Sequence, residues 1–229
     1  KEDFLQVRPT AGASVPRVYE KMYVAMRDQA SESPIKLRIF NWAVKVARQK
    51  AYSSTINPIL SIKHRIANRL VYSKVKSALG GNIQFLISGG GKLSKDLCAL
   101  YHGAGILVLE GYGLSETSPV ITVNHPDSPR IGSVGPPLSN LEVKIKPVPH
   151  DGSKLSNTGE IGELLVRGPS IFSGYWNKPK ETKESFDDDW FKTGDLVLLE
   201  SDGYVTFLER IKEIMVLSTG KNVAPTPLE

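Results

Sequence analysis

One cysteine, Cys98, in 229 residues excludes an internal disulfide framework. A lone thiol fits a reducing compartment, and Cys98 itself reads as a small buried hydrophobe on a helix. No apolar run approaches the roughly 18–20 residues that span a bilayer, so no transmembrane helix is expected. The chain opens Lys1-Glu2-Asp3-Phe4, charged and without an initiator Met. That is not a signal peptide, and it reads as the start of an excised fragment. There is no internal repeat, no low-complexity tract and no aromatic-interleaved basic motif of the kind that binds nucleic acid. A cytoplasmic protein is the expectation.

What is present is the composition of an ordinary globular protein, long enough for one large domain or a domain plus a fragment. The net charge of +5 hides an asymmetry. Residues 1–80 carry 15 Lys+Arg against 5 Asp+Glu, whereas residues 81–229 carry 14 against 19. A solvated helix face accounts for the basic part. The functional alternative is attraction to anions, either nucleotide phosphates or an anionic membrane surface.

Residues 1–80 read as helical. Pro16 suits a first helical position; a second helical run starts at Pro34 and a third follows Pro58. Tyr19, Met22, Tyr23 and Met26 lie on the first run; Leu37, Phe40, Val44 and Ala47 on the second; Ile59, Ile62, Ile66 and Leu70 on the third. All three stripes have helical spacing and read as core faces, with a breaker at residues 53–58. Residues 82–117 read as a βαβ unit. Ile83–Ile87 is a strand, Ser88–Gly91 a tight loop, and Ser94 caps a helix carrying Leu97, Leu100 and Tyr101. Gly103 and Gly105 end that helix, and Ile106 begins a second strand. The two strands are expected parallel, so the loops after them leave the same sheet edge and face one cleft. From about residue 130 the apolar period becomes two, as in Leu141, Val143 and Ile145, then Leu196 and Leu198, then Val205 and Phe207. This predicts an antiparallel, barrel-like subdomain with a short helix near 177–186.

The second loop, Gly111-Tyr112-Gly113-Leu114-Ser115-Glu116-Thr117, carries the most chemistry. Glycines 111 and 113 let backbone pass close to a ligand. Tyr112 has a flat face for a base, Ser115 a hydroxyl for a phosphate, and Glu116 an oxygen ligand for a hard cation. A plain glycine-rich turn fits the same residues. Thr193-Gly194-Asp195 reads as a turn before a strand, where Asp195 either accepts two hydroxyls or forms an Asx turn. Arg210 reads as a second contact or as a surface ion pair.

In their order, Ser88–Gly91, Gly111–Thr117, Thr193–Asp195 and Glu209-Arg210-Ile211-Lys212 resemble the core motifs of the adenylate-forming superfamily. Its members include acyl-CoA synthetases, aryl-CoA ligases, luciferases and peptide-synthetase adenylation domains. The segments Val15-Pro16-Arg17-Val18-Tyr19-Glu20-Lys21 and Gly220-Lys221-Asn222-Val223-Ala224-Pro225 resemble the long-chain fatty-acyl-CoA synthetase branch. The resemblance covers nearly the whole chain. The usual Asp or Gly before the arginine is Glu209 here.

The resemblance implies an α/β fold. It comprises a partial parallel-sheet large domain with helices (1–129), a β-rich barrel-like subdomain (130–209), and a short stub of a C-terminal domain (210–229). It implies ATP, Mg²⁺ and CoA, and activation of a fatty acid to an acyl-adenylate and then a thioester. Ser115 and Glu116 take the catalytic roles, with Glu116 on the metal. Gly89, Gly90, Gly91, Glu110, Gly111, Tyr112, Ser115, Asp195 and Arg210 contact the nucleotide. Lys212 is the hinge. Tyr19 sits at the gate of an acyl tunnel, or is an ordinary core aromatic. The family's lysine-bearing phosphate loop and its late catalytic lysine have no match, so the fragment alone is expected to be inactive. An aryl- or medium-chain acid ligase and a non-catalytic nucleotide-binding module are the alternatives. Peripheral membrane contact and homodimerisation stay open.

Overall fold

The computed structural model describes residues 2–53, 55, 57–148, 159–211, 215–216 and 222–223. The chain divides into two compact units, Lys1–Glu110 with Pro126–Gly132, and Gly111–His125 with Ser133–Glu229. The division falls inside a strand, between Glu110 and Gly111.

The helices of the first unit are α1 (Glu2–Val7), α2 (Pro16–Ser31), α3 (Pro34–Ala51), α4 (Pro58–Ala67), α5 (Ser73–Ala78) and α6 (Lys95–Gly103). Proline opens α2 and α3 as expected, and Pro58, placed by the sequence reading in the breaker, opens α4. Its missing N–H is no loss there, because the first-turn donors have no intrahelical partner. Asn57 caps α4, its side chain accepting from the Leu60 N–H at 3.2 Å. The first two sequence stripes are core: Tyr19, Phe40, Val44 and Ala47 are buried, and Met22, Tyr23 and Met26 pack against them.

The third stripe is not. Ile59, Ile62, Ile66 and Leu70 are 66%, 63%, 47% and 42% exposed. The inward side of α4 is instead Leu60, His64 and Ala67, with the His64 ring 2.6 Å from the Gly103 carbonyl. Periodicity identifies an apolar stripe but not what faces it. The chain then runs through a π-type turn, Asn68–Tyr72, into α5. There Tyr72 is buried and its hydroxyl donates to Ala43 O at 2.6 Å.

The sheet of this unit is parallel, in the order β1 (Ala11–Ser14), β2 (Phe85–Ser88), β3 (Leu107–Gly113). Ala11 pairs with Phe85 and Phe85 with Leu107; at the other end Ser14 pairs with Ser88 and Ser88 with Glu110. The β2–α6–β3 unit is the expected one. Strand β1 is new. Ala-Gly-Ala-Ser has no β-branched or aromatic residue, so nothing local marks it as a strand, and only pairing to β2 makes it one.

Helix α6 buries Leu97, Cys98, Leu100 and Tyr101. Burial pushes the Cys98 thiol up to about 12, which makes it an inert core group. Two details differ from the sequence reading. Ser94 holds the N-cap position but its side chain makes no capping bond. Gly103 does not end the helix; it is the helix's last residue, packed on α3. A Cβ there would lie 1.8 Å from Ala47 O. Gly105, at φ +74°, makes the left-handed turn that follows.

In the second unit, the end of β3 pairs antiparallel with β4 (Val120–Val123). A larger antiparallel sheet comprises β5 (Glu142–Lys146), β6 (Gly159–Arg167), β7 (Phe186–Asp187), β8 (Trp190–Glu200) and β9 (Val205–Arg210). Its order is β5-β6-β8-β7, with β9 also on β8. Among the described residues this sheet is open, not a closed barrel. Ile121, Leu141, Leu164, Val166, Val197 and Val205 form its core. The short helix expected near 177–186 is α7 (Pro179–Glu184). Of the C-terminal stretch, β10 (Met215–Val216) and β11 (Asn222–Val223) pair antiparallel.

Gly103→Ala drives a methyl into the Ala47 backbone, which no rotamer change relieves. The expected cost is about 1–3 kcal/mol, a fall in Tm of several degrees. Thermal unfolding followed by circular dichroism measures it. An unchanged Tm would mean that α3 and α6 separate freely.

Candidate active site

In the first unit, β2 and β3 end side by side at Ser88 and Glu110. The Ser88 hydroxyl is buried and has no hydrogen-bond partner among the described residues. Gly89 extends the pairing, its N–H donating to Ser14 O at 3.1 Å. Gly90 then turns at φ +74°, and Gly90 and Gly91 are exposed. Glu110 is buried, with Oε1 accepting from the Gly132 N–H at 3.3 Å. Burial pushes its carboxyl above the ordinary Glu range, opposed by the backbone N–H groups of Gly132 and Leu93 and by the charges of Lys92 and Lys95.

In the second unit, Thr193-Gly194-Asp195 lies within β8, not in a turn ahead of a strand. The irregularity is real but internal. Gly194 sits at φ +72°, which favours glycine. Thr193 Oγ1 donates to Leu164 O at 2.8 Å and accepts from the Asp195 N–H at 3.2 Å. Asp195 is fully buried. The Tyr112 hydroxyl donates to Oδ2 at 2.6 Å, and Arg210 Nε lies 3.2 Å from Oδ1. Asp195 and Arg210 face each other across β8 and β9. Three residues picked from sequence, 83 positions apart at the widest hydrogen bond, thus form one network. Burial, then the Asp195 charge, holds the Tyr112 phenol well above its usual value.

Ser115–Thr117 forms a 3₁₀ turn after β3. Thr117 braces it, its Oγ1 accepting from the Leu114 N–H at 3.0 Å and donating to Pro119 O at 2.8 Å. At Gly113 a Cβ would sit 1.7 Å from Pro119 O, so its missing side chain makes room for the chain's own return, not for a ligand. Ser115 is exposed and Glu116 half-buried. The Glu116 backbone carbonyl accepts from the Phe172 N–H at 2.8 Å. Its Oε1 accepts from the Tyr175 hydroxyl at 2.9 Å.

Tyr175 is the residue that sequence reasoning missed. It is 59 positions from Glu116, and no spacing rule connects them. Phe172 anchors its loop, packing at 5.8 Å on Phe186, 5.3 Å on Phe191 and 4.8 Å on Tyr175. The adjacent aromatics of Gly174-Tyr175-Trp176 were the available signal. Tyr19 is 1% exposed, and its hydroxyl donates to Ile87 O at 2.7 Å, so it is a fixed core group. Lys212 lies outside the described residues.

The family profile described as AMP-binding enzyme matches residues 1–176, and the chain belongs to that family. It is 42% identical over 225 residues to the long-chain-fatty-acid–CoA ligase FadD15 of Mycobacterium tuberculosis, covering 97% of this chain and 35% of that protein. It is 33% identical over 231 residues to long chain acyl-CoA synthetase 3 of Arabidopsis thaliana, covering 100% of this chain and 34% of the relative. Among solved structures it is similar to ATP-bound MatB from Rhodopseudomonas palustris (TM-score 0.56, 33% identity, 71% of this chain and 33% of that one). The anthranilate CoA ligase AuaEII shares the fold (TM-score 0.62, 20% identity, 99% of this chain and 34% of that one). The chain thus spans about a third of the length of these relatives.

Glu110 supplies a test of the site's electrostatics. Its folded pKa lies above the unfolded one, so on raising pH the unfolded chain releases its proton first. Its contribution to stability is therefore full below the ordinary Glu range and is lost as pH rises through the folded value. Glu110→Gln removes the charge and keeps an acceptor for the Gly132 N–H. The variant is expected to be more stable than the parent at neutral pH, with the advantage fading toward about pH 4. Urea midpoints at the two pH values measure this. A variant less stable at neutral pH would mean that the carboxylate is held by charge, not penalised by burial.

Proposed function

We propose that this chain is the nucleotide-binding segment of a long-chain fatty acid–CoA ligase. The reaction is ATP-dependent activation of the acid to an acyl-adenylate, with release of pyrophosphate, followed by transfer to CoA with release of AMP. The observation that carries the reading is the Tyr112–Asp195–Arg210 network, in a chain whose family binds AMP and whose relatives are long-chain ligases.

The chemistry brings an anionic carboxylate onto an anionic phosphate, so its barrier is chiefly electrostatic and positional. Asp195 receives the ribose. Oδ2 accepts from Tyr112 and Oδ1 lies in an ion pair with Arg210; both keep acceptor capacity, and the half-exposed Arg210 shifts from carboxylate to ribose. Tyr112 lends its ring face to the adenine. Ser88 brings an unpartnered hydroxyl to the same end of the sheet as Gly89, Gly90, Gly91 and Glu110, which contact the base. Ser115, exposed at the head of its turn, donates to the α-phosphate. Lys212 is the pivot between the two half-reactions, an assignment that rests on the sequence.

Glu116 suits a magnesium ion. Mg²⁺ takes one or two carboxylates and completes its shell with phosphates and water. One Glu116 oxygen holds Tyr175, and no cation pairs with the carboxylate among the described residues. The ion would offset charge on the departing pyrophosphate.

ATP–pyrophosphate exchange with short, medium, long and aromatic acids, in a full-length ligase carrying this segment, tests the reading. Long-chain acids are expected to support exchange. Exchange with aromatic or medium-chain acids alone would move the protein to that substrate class. ATP binding without exchange for any acid would make it a binding module. In the same enzyme, Glu116→Gln is expected to lower exchange about 100-fold or more at saturating acid. Undiminished exchange would remove Glu116 from the metal.

A further inference from the structure

Glu116 is gripped twice by one short segment. The Phe172 N–H donates to its backbone carbonyl at 2.8 Å, and the Tyr175 hydroxyl donates to its Oε1 at 2.9 Å. The first bond is enough to pack a loop against the Ser115–Thr117 turn. The second fixes the carboxylate itself, removing rotamer freedom that a Glu side chain keeps in solution.

The gripping segment is itself held at both ends. Phe172 packs on Phe186 and Phe191. Beyond it the Tyr175 N–H donates to Thr182 Oγ1 at 2.9 Å, and that hydroxyl donates to Lys178 O at 2.8 Å. The Lys178 N–H closes the turn on Tyr175 O at 3.2 Å. The loop is thus latched to α7. Gly174 permits the latch, since it lies at φ +146° and a Cβ there would come 2.5 Å from Thr182 Cγ2. Of the two adjacent aromatics, Trp176 is left 89% exposed while Tyr175 is turned onto Glu116.

We infer that Tyr175 is a positioning residue for adenylation, one that aims Glu116 at the cation; the inference rests on the ligase reading above. The kind of donor matters. A phenol gives Oε1 one proton and carries no charge, so Oε2 keeps its lone pairs and the carboxylate its negative charge. A Lys or Arg in the same place would fix the group but offset the charge that attracts a metal ion. Partners that orient a metal ligand in this way are worth about 10–100-fold in metal affinity.

The test is binding of α,β-methylene ATP to a full-length ligase carrying this segment, with Mg²⁺ and with EDTA, by calorimetry. It reads how much the metal tightens the nucleotide and needs no turnover. Tyr175→Phe keeps the ring on Phe172 and removes only the donor. It is expected to weaken the Mg²⁺ complex about tenfold or more and to leave metal-free binding within about twofold. Added to Glu116→Gln, it is expected to change neither further. Equal weakening with and without Mg²⁺ would make Tyr175 a packing residue and overturn the inference. So would an undiminished Mg²⁺ effect, or the same loss on top of Glu116→Gln. If Glu116→Gln lowers the Mg²⁺ effect and Tyr175→Phe does not, the inference alone falls. If Glu116→Gln leaves that effect intact, the metal role of Glu116 falls and the inference with it.

Discussion

A carboxylate with no exposed surface has to be held by donors, and the second unit is organised around one. Asp195 sits within β8, where β6 and β9 flank it. Its Oδ2 accepts from the Tyr112 hydroxyl and its Oδ1 forms an ion pair with the Arg210 guanidinium. An unpaired buried carboxylate would cost several kcal/mol. Burying it therefore ties together the end of β3, the middle of β8 and the end of β9. The local irregularity at Gly194 follows from the same demand. A regular strand would carry the backbone straight through; the left-handed glycine and the Thr193 hydroxyl turn it so that Asp195 can meet both donors.

The first unit depends on closeness, not charge. Helix α6 reaches α3 at a glycine, and the approach is so near that no side chain fits between Gly103 and the Ala47 carbonyl. Three tyrosines then knit the layer by hydroxyl-to-carbonyl bonds: Tyr19 to Ile87, Tyr72 to Ala43, and Tyr101 to Tyr19. Each satisfies its own polar atom in an apolar setting, which is what lets so large a side chain be buried. The parallel strands packed with these helices end at the same level, and the groups with chemistry to offer follow directly: Ser88 and the glycine loop, then Glu110.

On the proposed reading, function is carried by side chains that structural needs have already engaged. Glu116 presents a carboxylate steadied by Tyr175, and Tyr175 is steadied by an aromatic cluster built on Phe172. Tyr112 and Arg210 hold Asp195 before any ligand arrives. Such preorganisation lowers the cost of ordering groups when charge develops during reaction. It also explains why the loop glycines are not interchangeable. Gly90 serves a turn and Gly113 the return of its own backbone.

The proline-started helices, the βαβ unit, the shift to period two and the order of motifs that marks the AMP-binding family are all legible in the order of residues. These rest on local rules: fixed φ at proline, side-chain spacing of 3.6 or 2, and short residue runs with their own chemistry. It also singled out Tyr112, Asp195 and Arg210 one by one. That these three meet, that Thr193–Asp195 interrupts a strand instead of preceding one, and that Tyr175 reaches Glu116 come from the folded chain. It alone made Ala11–Ser14 a strand, since pairing and not propensity defines an edge of small residues. It alone turned the Ile59–Leu70 stripe outward. An apolar stripe records that a helix has two faces. Which face is covered depends on what the rest of the chain brings against it, and that is a matter of contacts distant in sequence.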